Sequence, residues 1–347
     1  MNQHSTELHH PIAEDHQAIA GGVAWVERSD RGGLFLGGKD RLTWLNGMCT
    51  ADLRNLQPGD GTDAYLLNVK GRILFDVSCY IGRESLLLTC QAAQEAELAA
   101  HLDRYIIMED VQVEPAGAAW KQAGLAGPRG AELLASIGLD RAGHLANSQH
   151  MQARIPVGQQ TVQMYVLNAH FCGAPSWELL YPAEHAAAVE GVLHEAGGRL
   201  GLRKVGPEAV EIARIEAGRA GPAELAGEVI PNETAQDHRM LSFTKGCYLG
   251  QEIVFRIKHQ GQPARLLRGL RFPEGQLPPP GSELQHEGRR VGVVTSVARS
   301  PRFGAIGMGY LRRPAYEQDQ PHLLAVLPDG PGIPCQSYSL PLVPQPN

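Results

Sequence analysis

Polar and apolar residues alternate along residues 63–81, and that alternation predicts a β-hairpin. Ala64-Tyr65-Leu66-Leu67-Asn68 forms one strand, Ile73-Leu74-Phe75-Asp76-Val77 the other, and Val69-Lys70-Gly71-Arg72 the turn between them. Before it, residues 21–36 read as strands and turns, and residues 39–47 as a short helix through Leu42 and Leu45 that Gly47 ends. After it, residues 85–90 form an apolar strand followed by an alanine-rich helix over 91–105, with Ala92, Ala96, Ala99 and Leu102 at helical spacing. The same unit recurs at 177–182 and 183–197, where Val189, Val192 and Leu193 share one helix side, and the recurrence suggests an internal duplication. Between the two units, residues 127–130 lead into a helix through Leu133, Leu134 and Ile137, and residues 161–167 read as a strand.

Residues 207–217 carry helix-start chemistry, with Pro207 just inside, Glu208 in the first turn and Gly218 as the stop. Glu216 falls in the last turn, where the helix dipole disfavours an anion. Either Arg214 and Arg219 compensate it, or it is placed to receive a ligand's donors. A second helix is expected over 251–260 from Ile253, Val254 and Ile257, with Glu252 and Arg256 four apart on its exposed side. Beyond residue 262 the texture changes to proline, glycine and short strands at 266–272, 290–297, 306–311 and 323–327, the pattern of a small antiparallel barrel or sandwich. The expected organisation is a disordered tail over 1–20, an internally duplicated α/β region over 21–261, a barrel over 262–340 and a tail over 341–347.

Composition narrows the function classes. A formal charge of -6 gives no basic footprint for nucleic acid and no polybasic membrane anchor. No stretch is apolar and long enough to span a membrane, and no secretory signal is visible, so a cytoplasmic protein is expected. The first twenty residues are polar and rich in histidine (His4, His9, His10, His16), which reads as a solvated tail. The six cysteines lack CxxC or Cys/His pair spacing, so neither a metal site nor a disulfide framework is expected. No GxSxG, Walker, HExxH or Rossmann fingerprint is present.

The most distinctive stretch is Lys245-Gly246-Cys247-Tyr248-Leu249-Gly250-Gln251-Glu252. Its two glycines allow tight turns around one thiol, one phenol and a lysine. Cys247 is expected just before a helix N-terminus, where the dipole and Lys245 would favour thiolate. This octapeptide resembles the signature of the YgfZ-like folate-binding proteins, relatives of the glycine-cleavage T-protein associated with iron-sulfur cluster assembly or repair. Four further blocks resemble the same family in the same order: Gly38-Lys39-Asp40-Arg41 through Thr50-Ala51-Asp52-Leu53, then Leu67-Asn68-Val69-Lys70-Gly71-Arg72-Ile73, Arg214-Ile215-Glu216-Ala217-Gly218 and Pro231-Asn232-Glu233.

The resemblance implies an α+β protein of three modules in a ring around a central channel that holds tetrahydrofolate or a related reduced folate, the last module a β-barrel. It implies that Glu216 accepts from the pterin's amino group and ring N–H. Tyr65, Leu67, Tyr248 and Gln251 are candidate walls, and Asn68 and Gly71 shape the neighbouring turn. It makes Cys247, Lys245 and Asp76 the candidate reactive groups. The transferase pattern has consecutive acids where this chain has Phe75-Asp76, so one acid is missing. The main reading is therefore a tetrahydrofolate-binding accessory protein for iron-sulfur client or assembly proteins, not a conventional enzyme, with Cys247 as its reactive residue. The alternative is a folate-dependent aminomethyltransferase or demethylase-type one-carbon transferase. A third option is a degenerate folate scaffold that only makes protein contacts.

Overall fold

A computed structural model describes residues 11–318, 321–327 and 330–342. The chain enters it through a helix, α1 (Ile12–Gly21), and not through a tail. Asp15, His16 and Ile19 are buried at a spacing of three to four, so residues 12–20 are ordered by a face that is only partly apolar. This corrects the expected tail over those residues. His4, His9 and His10 lie outside the described residues.

From there the chain lays down β1 (Ala24–Glu27), β2 (Arg31–Gly37), α2 (Arg41–Met48), β3 (Gly61–Leu67), β4 (Ile73–Ile81), β5 (Leu86–Gln91), α3 (Glu95–Asp103) and β6 (Gln112–Pro115). Strands β3, β4, β5, β2 and β6 form, in that order, one antiparallel sheet. The predicted hairpin is β3–β4, and α2 runs one residue past Gly47 before Cys49 turns extended. The following segment adds β7 (Trp120–Ala126), α4 (Gly130–Ser136), β8 (His150–Val157), β9 (Gln160–Asn168), β10 (Ser176–Pro182), α5 (Ala186–Gly198) and β11 (Arg203–Lys204). These strands join β1 in a second, mixed sheet ordered β11-β1-β7-β10-β9-β8, in which only the β1–β11 pairing is parallel.

Each sheet buries its inner face under its own helix. Leu98 and Leu102 of α3 enter the first core, and Val189 and Leu193 of α5 enter the second. Both units run strand, single 3-10 turn, helix, as the recurring sequence pattern suggests. A fully buried leucine in such a core contributes about 1.5–3 kcal/mol relative to exposure.

Next come α6 (Pro207–Glu216), α7 (Pro222–Leu225), α8 (Asp237–Met240) and α9 (Gln251–Gln260). The barrel consists of β12 (Arg265–Arg271), β13 (Glu283–His286), β14 (Arg289–Ser300), β15 (Gly304–Arg312), β16 (Leu323–Ala325) and β17 (Ile333–Tyr338), with α10 (Arg313–Tyr316) after β15. It closes antiparallel in the order β12-β15-β14-β13-β16-β17. Two of its strands, β13 and β17, are not visible in the sequence. The first is short and polar, and the second carries Pro334 within it.

One core joins all of these parts. Tyr65, Leu67 and Ile73 of the hairpin, Ile212 and Ile215 of α6, Tyr248 and Val254, and Leu267, Met308 and Tyr310 of the barrel pack together. The closest fit within it is between the hairpin turn and the start of α9. Gly71 (φ +69) has Ile253 so near that a Cβ would lie 2.8 Å from its Cβ, and at Gly250 (φ +79) a Cβ would lie 2.4 Å from the Asn68 carbonyl oxygen. Only glycine meets both demands at these positions.

Candidate functional site

Alternation along β4 decides what faces what. Phe75 and Val77 point into the first sheet's core, whereas Asp76 and Ser78 line a cavity of about 410 Å3. In the hairpin register Asp63 lies opposite Ser78, which places both on the same face, and the Ser78 hydroxyl donates to Asp63 at 2.5 Å. The β1–β2 turn brings Arg28 and Arg31 to the same cavity, and β10 brings Glu178, which is 3% exposed. Glu178 lies 3.1 Å from Arg28 and 3.7 Å from Arg31, and the Arg28 guanidinium stacks 4.4 Å from the Phe171 ring centroid.

The remaining wall comes from α6 and the segment that leads from it into α7 and α8. Pro207, Val210, Glu211 and Arg214 recur every three to four residues, so one stripe of α6 faces the cavity. Arg214 makes a two-pronged contact with Glu211 and a 2.9 Å bond to Glu224, while Ser296 of the barrel accepts from Arg214 and donates to Glu224. Arg219 donates to the Ala169 and His170 carbonyls, and Arg239 of α8 pairs with Asp63. Among the described residues the barrel adds no lining residue of its own, and Ser296 joins it to the cavity wall by hydrogen bonds. Helices α6 and α7 therefore stand between the barrel and this cavity.

The lining holds five guanidiniums against six carboxylates, so selectivity here comes from individual pairings and not from a net field. Burial pushes Asp63 toward the neutral form, but Arg239 and Arg219 outweigh it and keep the group ionised. Asp76 goes the other way. Burial raises its pKa, Arg239 offsets this only in part, and the neighbouring Asp63 charge adds to the rise. Asp76 has no hydrogen bond or ion pair among the described residues, so its oxygens are available to an occupant. A carboxyl of this kind can carry a proton to or from a bound nitrogen, or accept its N–H.

Of the candidate reactive and folate-contacting residues named from the sequence, Asp76 alone lines this cavity. Glu216 lies on the opposite side of α6, 4% exposed, where it bonds His16 of α1 at 3.0 Å and receives the Ser300 hydroxyl. Both bonds fall on Oε1, and Glu216 borders a separate cavity of about 250 Å3, not the one at Asp76 where a folate pterin was expected to meet it. Among the described residues its side-chain partners are His16 and Ser300, and neither Arg214 nor Arg219 contacts it. Leu67 is wholly buried in the shared core. Asn68 caps the hairpin turn by accepting from the Lys70 and Arg72 amides, and Gly71 serves the turn itself. Tyr65, opposite Asp76 in the register, is buried with its hydroxyl 3.5 Å from Thr234; burial, then the Asp76 charge, raises its pKa.

The signature octapeptide is a separate place. Lys245 is 6% exposed, and its ammonium donates to the carbonyls of Asn46, Cys49 and Ala51 while lying 5.1 Å from the Tyr248 ring centroid. Burial lowers its pKa. All three N–H donors are spent, so the expected reactive role of Lys245 is corrected to an anchor. Tyr248 is buried in the shared core, and Gln251 begins α9 with its amide 3.5 Å from the Gly246 carbonyl. Cys247 is exposed, and the other five cysteines are buried. Tyr248, Leu249 and Gly250 separate it from α9, so it does not sit at the helix end as expected, and a dipole acts only within about a turn.

Sequence reasoning missed Arg28, Arg31, Asp63, Glu178 and Arg239. A hint is present in the density of arginines flanking predicted turns, but each looks locally like solvated charge. Among the described residues no cluster of three histidine, cysteine or acidic side chains is placed to hold a metal, and no helix is long and apolar enough to cross a membrane.

Comparison with known proteins brings in a wider setting. Residues 2–239 match the model described as GCVT N-terminal domain, and residues 265–343 the glycine cleavage T-protein C-terminal barrel domain. An aminomethyltransferase of Caldanaerobacter subterraneus subsp. tengcongensis is 25% identical over 84% of this chain and 77% of its own length. That of Geobacillus kaustophilus is 26% identical over 84% and 79%. The crystal structure of glycine cleavage system aminomethyltransferase T from Bartonella henselae superposes with a TM-score of 0.83 at 23% identity, covering 96% of this chain and 90% of that one, which is a likeness of fold.

Proposed function

Since the chain belongs to the glycine cleavage T-protein family, we propose that it binds a reduced folate in the cavity beside Asp76 and takes part in moving a one-carbon unit there, as an aminomethyl- or demethylase-type transferase. The observation that carries this reading is Asp76, the one carboxylate of the lining without a partner among the described residues and driven by burial toward holding a proton. The residues fit such a ligand. The volume is within the range of small-molecule sites. Asp76 offers an acceptor to ring N–H groups, while Arg28, Arg31 and Arg239 offer donors to the glutamyl carboxylates. When bound, the folate would supply the nitrogens that carry the one-carbon unit. Asp76 would orient the incoming amine and exchange its proton, and the ion pairs around it would hold the carboxyl in place.

A second reading, that of a tetrahydrofolate-binding accessory protein for assembly or repair of iron-sulfur enzymes, is favoured by Cys247, an exposed thiol on a loop fixed by the buried Lys245. One experiment separates them. Purified protein is titrated with tetrahydrofolate, then supplied with aminomethylated carrier protein while methylene-tetrahydrofolate is followed. Multiple turnover that is lost in Asp76→Asn and kept in Cys247→Ser supports the transferase. Binding without turnover, with restoration of an iron-sulfur enzyme that depends on Cys247, supports the accessory role. Absence of folate binding sinks both.

A further inference from the structure

A second cavity, of about 590 Å3, shares no lining residue with the one at Asp76. It lies between the turn Pro231–Glu233, α8, the approach to the signature octapeptide and the end of α9. Its walls are largely apolar, from Leu241, Phe243, Ile257 and Leu266. Five polar side chains interrupt them, Asn232, Asp237, His238, Lys258 and Gln262, and two of these carry a buried acceptor. Asn232 is 5% exposed, and its Oδ1 is buried without a hydrogen-bond partner among the described residues; Oδ1 of Asp237 is buried and unpartnered in the same way. Folded proteins leave few buried acceptors unpaired, so two in one cavity point to an occupant that brings donors.

The surroundings restrict what that occupant is. Lys258 Nζ stands 4.0 Å from the other oxygen of Asp237 and 4.8 Å from the Phe243 ring centroid. A cation thus already stands beside Asp237, although burial still raises its pKa, and a positively charged ligand would compete with Lys258 for that balance. A neutral molecule with adjacent N–H groups satisfies both acceptors without disturbing that balance. The Asn232 carboxamide also has donors of its own for a neighbouring carbonyl. The apolar walls and the phenylalanine favour a flat ring. The hydroxyl of Tyr248, from the octapeptide, is also buried without a partner among the described residues; burial, then Cys49, then the Asp237 charge raise its pKa.

We propose that this cavity binds a neutral planar heterocycle of the guanine type, with Asp237 and Asn232 pairing to its N–H and carbonyl edge and Phe243 and Leu241 packing against the ring. Asn232 belongs to the Pro231-Asn232-Glu233 block, for which the cavity at Asp76 has no use.

Calorimetric titration of the full chain with guanosine and, separately, adenosine tests this. Guanosine is expected to bind one-to-one at least tenfold more tightly than adenosine, which presents a ring acceptor where guanosine has an N–H. Asp237→Asn, at a half-buried and nearly isosteric position, and Leu241→Trp, which fills the cavity, are each expected to weaken guanosine at least tenfold, with a melting scan to show that both fold. Asp76→Asn is expected to leave guanosine binding unchanged. The proposal is overturned if guanosine gives no binding at millimolar concentration or binds no better than adenosine. It is overturned equally if Asp237→Asn binds as the wild type does, or if binding is lost in Asp76→Asn and kept in Leu241→Trp.

Discussion

Phe75 and Asp76 stand back to back on β4, the ring 2% exposed in the core with its centroid 5.4 Å from that of the tilted His101 ring, the carboxyl facing the cavity. Counting Phe75 as a missing catalytic acid therefore misreads the pair. An acid at position 75 would enter the apolar core, and the acid on the cavity side is present.

This arrangement gives Asp76→Asn a coupled outcome. A carboxyl whose pKa is raised on folding favours the folded state below its unfolded pKa and loses that contribution as pH rises through the folded value, so above that range Asp76, without a partner among the described residues, is a cost. Asparagine removes it. The variant is expected to gain about 0.5–2 kcal/mol in urea denaturation at pH 7 while any one-carbon transfer falls on the order of a hundredfold or more. A variant that loses stability and keeps full turnover speaks against Asp76 as the working group.

Glu216 is predicted to matter for stability and not for folate affinity. Glu216→Gln keeps the shape but weakens the contacts to His16 and Ser300, and hydrogen bonds to charged groups are worth about 1.5–3 kcal/mol. Denaturation should report a loss of that order, with tetrahydrofolate titration unchanged. A selective loss of folate affinity in a fully stable variant would restore Glu216 as a ligand residue.

For the octapeptide, the contrast is between Cys247 and Lys245. Alkylation of the native protein followed by peptide mass analysis should label Cys247 far ahead of buried thiols such as Cys90, which burial also raises to a pKa of about 11. Lys245→Met leaves three carbonyls without their donor and is expected to destabilise the protein by about 2–4 kcal/mol. Equal labelling of Cys247 and Cys90, or a neutral Lys245→Met, contradicts this division of roles.

Acid should loosen the cavity through His170. Burial, and then the Arg219 charge, lower its pKa from 6.5 to about 4. A histidine depressed on folding adds stability above its unfolded pKa and loses it as pH falls through the folded one. The contribution therefore disappears between about pH 6.5 and 4; at about 1.4 kcal/mol per pKa unit the shift corresponds to about 3.5 kcal/mol, which solvent screening of the half-buried ring reduces to the order of 2–3 kcal/mol. His170→Gln is expected to flatten the pH dependence of urea stability over that window; an unchanged slope assigns the acid sensitivity elsewhere.

The hairpin, α6, α9 and four barrel strands are legible in the sequence because their apolar spacing is local. Helix α1 is not, since its buried face includes Asp15 and His16 and a polar segment resembles a tail when their partners are unknown. The cavity is hidden for a related reason. Arg239 and Asp63 are 176 residues apart, and neither position signals the other. Asp76 is found through the resemblance and the strand alternation, whereas Glu216 is assigned from a motif whose side chain folds toward the opposite side of its helix.

The residue that does not reach the cavity gathers the two ends of the described chain instead. Glu216 holds His16 from the first helix and Ser300 from the barrel through its carboxylate, and its carbonyl accepts the Leu342 amide. During synthesis, then, α6 leaves the ribosome with one of these partners already made and the others more than eighty residues away. The cluster closes only when Leu342 has emerged, so a nascent chain stalled before that point presents an unfinished latch to chaperones and proteases, and a label fused near either end pulls on the same residue.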